Sequence, residues 1–298
     1  MTDIEQEFIR DCWYVAGWSE DFPHTLTPLR ILDEPIVVFR TEAGVPAALE
    51  DACPHRKLPL SKGRLTGETV ECGYHGLTFD CSGACVRAPT QDGPPPAVTV
   101  RSYPVEDRWG ILWIWMGDAE RADPDEIFEI PNYDNPAWGH TQGGSMDIAC
   151  HYLYVVDNLL DPSHVAWVHV SSFAGAGTGN LPLDLEKLDD GIIVSRWVMD
   201  APPPPYYEPI LPFSGNCDRK QHYECRLPST AINMSVYTRA GTGGDNDNLP
   251  DDAFLNISYN FMTPVDADNT RYFWFQHRNS DPDNEDISQR MFEGAKAA

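Results

Sequence analysis

Two short loops, each carrying one cysteine and one histidine, constrain the fold of this chain more than any other feature. Sixteen residues separate the histidine of the first loop from the cysteine of the second. Brought together, the loops present two thiolates and two imidazoles to a common point. We therefore predict a metal site that holds two turns of the N-terminal third side by side. The loops are Cys53-Pro54-His55-Arg56 and Cys72-Gly73-Tyr74-His75-Gly76.

These ligand types suit either a [2Fe–2S] cluster or zinc. Two thiolates on one iron and two imidazoles on the other raise a cluster's potential to roughly −150 to +300 mV, against about −400 mV for ligation by cysteine alone. Structural zinc sites use the same side chains, but usually as a cysteine pair followed by a histidine pair. Cys81 and Cys85 are further candidate zinc ligands with Cys53 and Cys72. The alternation of Cys and His in both loops favours the cluster over zinc or a site without metal.

The charge of the chain excludes several classes of partner. Its 298 residues carry 46 acidic and 21 basic side chains, a formal net charge of −25, which repels the phosphates of nucleic acid and anionic lipid. There is no apolar run long enough to predict a membrane-spanning helix, and the acidic start does not resemble a secretory signal. We expect a cytoplasmic protein whose eight cysteines are thiols or metal ligands.

The pattern of apolar runs predicts an α+β protein of two domains. Short runs separated by turn signals indicate antiparallel strands in the first third, and an acidic, proline-containing stretch then places the domain boundary after residue 120. We expect an all-β domain over residues 1–120 and a second domain with an antiparallel sheet over residues 121–298. The predicted strands are 36–39, 45–49, 98–100, 111–116, 146–154, 192–199, 230–238, 254–262 and 271–277, and the predicted helices are 155–170, interrupted by Pro162, and 285–298.

A second candidate metal site lies between residues 157 and 169, where two imidazoles and two carboxylates occur within 13 residues. Two histidines and one carboxylate form the triad that suits a ferrous iron with open positions for O₂ and substrate. On an ideal helix His164 and His169 point about 140° apart. They can share a metal only if the helix is bent or widened, or if His169 lies past its end. Pro162 makes such an irregularity plausible.

Both motifs resemble those of Rieske non-haem iron oxygenases, and nearly the whole chain is similar to the vanillate O-demethylase and dicamba monooxygenase branch. The first resembles the Rieske motif, with Lys57 where a small residue is more usual, and the second matches the pattern Asn-x-x-Asp-x-x-His-x₄-His. The resemblance implies an N-terminal Rieske domain followed by a helix-grip-type catalytic domain. It implies that Cys53, His55, Cys72 and His75 bind the cluster, that His164 and His169 bind a mononuclear Fe(II), and that Asp161 and Asn158 have catalytic roles.

The resemblance also predicts how the two metals communicate. In the family, the aspartate that matches Asp161 bridges an iron-ligand histidine and a cluster histidine, here His75, across the boundary to the neighbouring subunit of a homotrimer. The other interpretation is that Asp161 only caps the turn around Ser163. The third iron ligand, a carboxylate, is expected a few residues after Ala298, so the sequence as given is expected to be truncated and poorly active.

The implied reaction is the O₂- and NAD(P)H-dependent O-demethylation or hydroxylation of an aromatic compound, with electrons from a flavin/iron–sulfur reductase or a ferredoxin. Asn233 and Asn260, on predicted strands, are candidates to bind substrate, although both also fit as ordinary sheet residues. One alternative is the α subunit of a ring cis-dihydroxylating dioxygenase, which tends to be larger and to have a β partner. A Rieske protein that only transfers electrons would not need the second histidine pair, and a zinc-stabilised binding protein would be colourless.

Overall fold

The computed structural model describes residues 8–93, 95, 97–169, 181–245 and 248–297. The chain forms two compact units. The first extends to Glu129 and includes Ala149–His151 and Thr263–Arg271, and the second contains the remaining residues. The domain division expected after residue 120 stays a prediction.

The first unit consists of three small antiparallel sheets in the described part of the chain. Their strand orders are β1-β11-β10, β2-β3-β4-β9 and β5-β6-β7-β8, and short 3-10 turns lie at Ser19–Asp21, Leu60–Lys62, Ala119–Arg121 and Pro124–Glu126. The strands are β1 Trp13–Trp18, β2 Thr27–Ile31, β3 Glu34–Arg40, β4 Pro46–Glu50, β5 Arg64–Thr66, β6 Thr69–Glu71, β7 Thr78–Phe79, β8 Cys85–Arg87, β9 Ser102–Tyr103, β10 Val105–Arg108 and β11 Ile111–Trp115.

The core of the first unit lies beneath the two Cys/His loops. Strand β3 is apolar on both faces at its centre and is buried there, which is typical of a strand covered on both sides. Cys53 and Cys72 belong to this core, where they pack among Val37, Phe39 and other apolar side chains. Packing of these two cysteines in the apolar core therefore holds the loops in place without a metal.

The second unit contains a long antiparallel sheet with helices against it. The strand order is β12-β19-β18-β17-β16-β15-β14, and β13 also pairs with β19. None of the helices in the described residues has the length and apolar character needed to cross a membrane. The elements are β12 Gly139–His140, β13 Gly144–Ile148, α1 Tyr152–Leu160, α2 Val165–Val168, β14 Asp184–Lys187, β15 Gly191–Ala201, β16 Cys217–Arg226, β17 Thr230–Arg239, β18 Phe254–Asp266, β19 Asn269–Arg278 and α3 Glu285–Lys296.

Helix α3 is fixed to the sheet at its start and along one face. The Asn284 side chain caps the helix by accepting a hydrogen bond from the Ile287 amide at 3.2 Å. Arg278, fully buried on β19, donates to the backbone carbonyls of Asp281 (2.7 Å) and Asn284 (3.2 Å) just before the helix. Met291 then packs against tyrosines of the sheet and its connecting loop.

The predicted fold class is confirmed, with an N-terminal all-β unit and a C-terminal unit built on an antiparallel sheet. Most predicted strands are confirmed, with shifted ends. The strand at 98–100 is wrong, since only an isolated bridge between Ala84 and Thr99 forms there. The strand at 146–154 is also wrong in its second half, because α1 begins at Tyr152. Strand β16 was not predicted at all.

Candidate metal sites and substrate cavity

The two Cys/His loops have the same backbone geometry. In the first, Cys53 N–H donates to the Leu58 carbonyl at 2.9 Å, and Lys57 N–H donates to the Cys53 carbonyl at 2.8 Å. The fourth residue after each cysteine has a positive φ, +58° at Lys57 and +72° at Gly76. A small residue is more usual at Lys57 because L side chains are strained in this left-handed region. The second loop repeats both bonds at Cys72, Leu77 and Gly76, at 2.8 and 3.0 Å.

The loops place two thiols inside the unit and two imidazoles at its surface. Cys53 and Cys72 are each only 2% exposed, and burial raises the pKa of the Cys53 thiol, which also lies within hydrogen-bonding reach of Cys72. The exposed rings of His55 and His75 lie edge to face, with centroids 4.7 Å apart. The structure thus brings the two predicted cysteine ligands together, and likewise the two predicted histidine ligands. Two buried sulfurs and two outer nitrogens are the donor set that a mixed-ligand [2Fe–2S] cluster requires.

The predicted iron-binding histidines lie at the two ends of α2. His164 is the residue before the helix, and His169 is the residue after it, with φ −112° and ψ 19°. Because His169 has left the helical conformation, the 140° divergence of an ideal helix does not apply. The ring centroids are 5.4 Å apart. The structure therefore has one of the arrangements that the sequence allowed, in which the second histidine lies past the helix end.

The surroundings of His169 favour its neutral imidazole. Nδ1 of His164 is buried and makes no hydrogen bond to the described residues. Burial lowers the pKa of His169, and the charge of His164 lowers it further. A metal ion takes its histidine ligands in the neutral form, so an orphaned nitrogen beside a second imidazole is compatible with metal ligation.

Asp161 caps the turn that carries His164. Its Oδ1 accepts from the Ser163 amide at 2.6 Å, and its Oδ2 accepts from the His164 amide at 3.3 Å and lies 3.5 Å from His164 Nδ1. Desolvation opposes ionisation, but these hydrogen bonds outweigh it and lower the pKa of Asp161. Asp161 therefore makes the capping contacts of the second interpretation. The side chain is still 45% exposed, so capping leaves part of the carboxylate accessible.

A cavity of about 330 Å³ opens beside the histidine pair in the second unit. His164, His169 and Asn158 line it from the helices, and Asn233 and Asn260 line it from the sheet. Five residues that the sequence predicted for this site thus meet at one cavity, whose volume fits a small aromatic molecule. Apolar walls are contributed by Met146, Ile148, Val155, Leu159, Val165 and Trp274.

The two predicted substrate asparagines differ in their free hydrogen-bonding capacity. Asn260, only 2% exposed, donates to Asn233 Oδ1 at 3.1 Å and accepts from the Tyr272 hydroxyl at 2.7 Å, among other bonds. Asn233 donates through Nδ2 to the carbonyl of Leu159 at the end of α1, at 2.9 Å. Because an amide nitrogen has two hydrogens, Asn233 retains one for a ligand. Asn260 is occupied mainly in orienting it.

Arg196 is a residue of this site that sequence analysis missed. It is 3% exposed on β15, and its Nη2 donates to the Pro162 carbonyl at 3.0 Å. Its Nε donates to Gln221 Oε1, a cavity residue on β16, at 2.7 Å. Arg196 therefore ties the loop before His164 to the sheet. A charged residue within the apolar run at 192–199 was the available signal.

The third iron ligand is not supplied by the residues that the structure describes. Within those ranges, no three His, Cys, Asp or Glu side chains converge on one possible metal position. The pair His164–His169, the thiol pair Cys53–Cys72 and the imidazole pair His55–His75 are each sets of two, and a mixed-ligand cluster takes two protein ligands per iron. The carboxylate ligand that the sequence analysis expects after Ala298 stays a prediction.

Comparison with known proteins agrees with both sites. Residues 12–104 match the Rieske [2Fe-2S] domain, and residues 148–298 match the vanillate O-demethylase oxygenase C-terminal domain. A toluene-4-sulfonate monooxygenase system iron-sulfur subunit from Comamonas testosteroni is 35% identical over 98% of this chain and 85% of its own length. A vanillate O-demethylase oxygenase subunit from Pseudomonas sp. is 34% identical, over 95% and 81% respectively.

A solved structure has the same fold as this chain. Dicamba monooxygenase bound to 3,6-dichlorosalicylic acid superimposes with a TM-score of 0.89 at 30% identity, covering 98% of this chain and 84% of that one. The fold and the matched domains define a terminal oxygenase of the Rieske non-haem iron monooxygenases, with a [2Fe–2S] cluster and a mononuclear iron as cofactors. The chain belongs to the vanillate O-demethylase oxygenase family. Membership of this family excludes the two alternatives of a zinc-stabilised binding protein and a Rieske protein that only transfers electrons.

Proposed function

We propose that this oxygenase removes a methyl group from, or hydroxylates, a small aromatic compound at the cavity beside His164 and His169. The observation that carries the proposal is the convergence of this histidine pair with Asn158, Asn233 and a largely apolar wall. Relatives named as demethylases and as an arene sulfonate monooxygenase support an aromatic substrate.

In this proposal, Cys53, Cys72, His55 and His75 hold the cluster, and His164 and His169 hold the iron. When bound, these groups supply electron storage and O₂ activation for attack on a C–H bond. The chain's own contribution is positional: the apolar walls exclude water and align the ring, while the remaining N–H of Asn233 donates to a polar substituent. Asn158, on α1, lines the same space and helps to position the turn that begins at Asp161.

We also propose that the protein acts as a homotrimer in which Asp161 meets His75 of a neighbouring copy. Large apolar side chains lie exposed next to both ligand sets: Trp167 is 82% exposed between the iron histidines, and Tyr74 is 58% exposed beside His75. The exposed part of the Asp161 carboxylate is available for such a contact. Sedimentation of the cluster-loaded protein measures the oligomer, and a monomer at micromolar concentration would contradict this assembly.

Relatives named as oxygenase components and iron-sulfur subunits belong to multi-component systems. We therefore propose a separate flavin/iron–sulfur reductase or ferredoxin as electron donor. The eight cysteines form no disulfide, which supports a reducing, cytoplasmic location.

The central test separates the two metal sites. Reduced protein should give the EPR signal of a mixed Cys/His cluster, and His164→Ala should abolish reductase-dependent formaldehyde release from 4-methoxybenzoate while leaving that signal unchanged. His140→Ala, which removes an exposed histidine that does not line the cavity, is the matched control and should retain activity. Loss of the EPR signal in His164→Ala, or full activity without this imidazole, would show that the sites are misassigned.

A further inference from the structure

The cavity is free of carboxylates although the chain is strongly acidic. The sequence has 46 acidic side chains, yet none of the described residues that line the cavity is Asp or Glu. Lys296 is the charged residue among them, apart from histidines. An anionic ligand would therefore meet no like charge on these walls.

Arg219 on β16 is a buried cation. The residue is 2% exposed, and its Nε and Nη1 are buried without a hydrogen-bond partner. No ion pair is formed by its guanidinium within the described ranges. A buried, unpaired charge is costly, so a role as a purely structural residue does not explain why an arginine occupies this position.

The strand geometry places Arg219 at the edge of the cavity. Side chains alternate along a strand, so Arg219, Gln221 and Tyr223 share one face of β16, and the last two line the cavity. The charge of Arg219 acts on the pKa values of Tyr207 and Tyr223, both of which are cavity residues. Arg219 thus lies one step beyond Gln221 on the cavity-facing side of β16, next to the lining side chains and not among them.

A second guanidinium flanks the same position. Arg196 lies directly opposite Gln221 across the β15–β16 pair, and its Nε donates to Gln221 Oε1. Gln221 therefore sits between one arginine on its own strand and one on the neighbouring strand. Two buried cations around a neutral amide make the Gln221 end of the cavity electropositive, and a low local dielectric strengthens their attraction for an anion.

We propose that Arg219 is a specificity-determining residue that binds the anionic head group, a carboxylate or sulfonate, of an aromatic substrate at the Gln221 end of the cavity. This inference rests on the proposed function, because it assumes that the cavity is the substrate site. Binding of an anion satisfies the buried guanidinium, whereas a neutral ligand of the same shape leaves it unpaired. The protein consequently selects arene anions over their neutral analogues.

The test compares 4-methoxybenzoate with 4-methoxybenzamide, which have nearly the same shape and differ in charge. Calorimetric binding to the oxidised, cluster-loaded protein without reductase gives affinities in the absence of turnover. Wild type should bind the benzoate at least about 10-fold more tightly than the benzamide. Arg219→Gln should weaken benzoate binding roughly 10- to 100-fold, the range of a hydrogen bond to a charged group, and change benzamide binding by less than about 3-fold.

Arg239→Gln is the matched control, since it removes an exposed arginine from the neighbouring strand β17 and should change neither affinity. If Arg219→Gln does not fold, Arg219→Met replaces the cation by an apolar chain of similar length, which buried sites often tolerate, and should show the same selective loss. Equal binding of the two probes by wild type, undetectable binding of both, or equal weakening of both by the variants would overturn the inference.

The outcome is independent of turnover. A benzoate preference that depends on Arg219, without formaldehyde release in the presence of reductase, would leave the anion site standing and reject the demethylation proposal. Formaldehyde release from both probes, with equal binding of the two, would support demethylation and reject the anion site.

Discussion

Replacing Asp218 by asparagine tests how the strand that carries Arg219 is held in register. Asp218 is fully buried, and its carboxylate accepts four backbone N–H bonds. Oδ2 accepts from Gly241 (2.7 Å), Thr242 (3.0 Å) and Gly243 (2.9 Å), and Oδ1 accepts from Asp200 (2.8 Å). One carboxylate therefore joins the start of β16 to the end of β15 and to the loop that follows β17.

The magnitude follows from these four bonds. The single oxygen of asparagine can face the three converging amides, but its NH₂ group then points at the Asp200 N–H and leaves that donor unsatisfied, at a cost of about 1–3 kcal/mol. The other three bonds change from charge-assisted to neutral and lose about 1 kcal/mol each. A loss of roughly 4–6 kcal/mol, at about 2–4 °C per kcal/mol, lowers the melting temperature of a unit of this size by about 8–24 °C.

Thermal unfolding followed by circular dichroism measures this loss, with Asp252→Asn as control because Asp252 is 45% exposed and paired only with an exposed arginine. Desolvation opposes ionisation of Asp218, but the four amides outweigh it and hold its pKa below the usual value. The stabilisation is thus fully present above the unfolded-state pKa of about 4 and is lost as pH falls through the lower folded-state pKa. The gap between wild type and Asp218→Asn should stay constant from pH 8 to 5. A gap under 2 °C, or one that varies across that range, would refute the reasoning.

Three further predictions concern other buried or strained positions. Lys57→Gly should raise stability by about 1 kcal/mol, because φ is +58° there, whereas Lys57→Ala should not; melting of the cluster-loaded protein measures both. His277 is fully buried with both ring nitrogens unpartnered, and burial and the charges of His140 and Arg278 lower its pKa to about 4. Protonation of this histidine then favours the unfolded state as pH falls below about 6.5. The free energy of unfolding of His277→Phe, measured with urea, should therefore rise by about 2–3 kcal/mol relative to that of wild type between pH 7 and pH 4.5. A difference that stays constant over this range would contradict the prediction. Arg196→Met removes the hydrogen bond to the Pro162 carbonyl. It should weaken binding of Co(II) at the histidine pair by roughly 10- to 100-fold in competition titrations, while the visible spectrum of the cluster stays unchanged. Unaltered Co(II) affinity would show that the bond between Arg196 and Pro162 does not orient His164.

The metal-ligand positions could be predicted from the sequence because each set is local. Cys53 and His55, Cys72 and His75, and His164 and His169 lie within a few residues of one another, so the backbone of a single loop or short helix brings each pair together. Even the departure of His169 from helical geometry was among the arrangements that the spacing allowed. The assignment of these residues to the metals remains a proposal that the EPR and His164→Ala experiment tests.

The wall of the cavity could not be predicted because it depends on pairings between distant strands. Strand β16 escaped prediction because its inward face is polar, with Arg219 and Gln221, and its outward face is charged as well. The usual alternation of apolar and polar residues marks a strand that covers an apolar core. A strand that lines a cavity for a polar ligand does not show it.

The failure to predict strand β16 and the inference of an anion site have the same cause. Arg219 is buried without an ion-pair partner among the described residues, where an apolar residue of similar volume is often at least as stabilising, and residues of this kind break the pattern that predicts structure. Burial of a cation without a protein partner is favourable only when something else supplies the opposite charge. A screen of arene carboxylates and sulfonates against their amides therefore reports on more than substrate preference, because it measures whether the ligand completes an interaction that the folded chain leaves open.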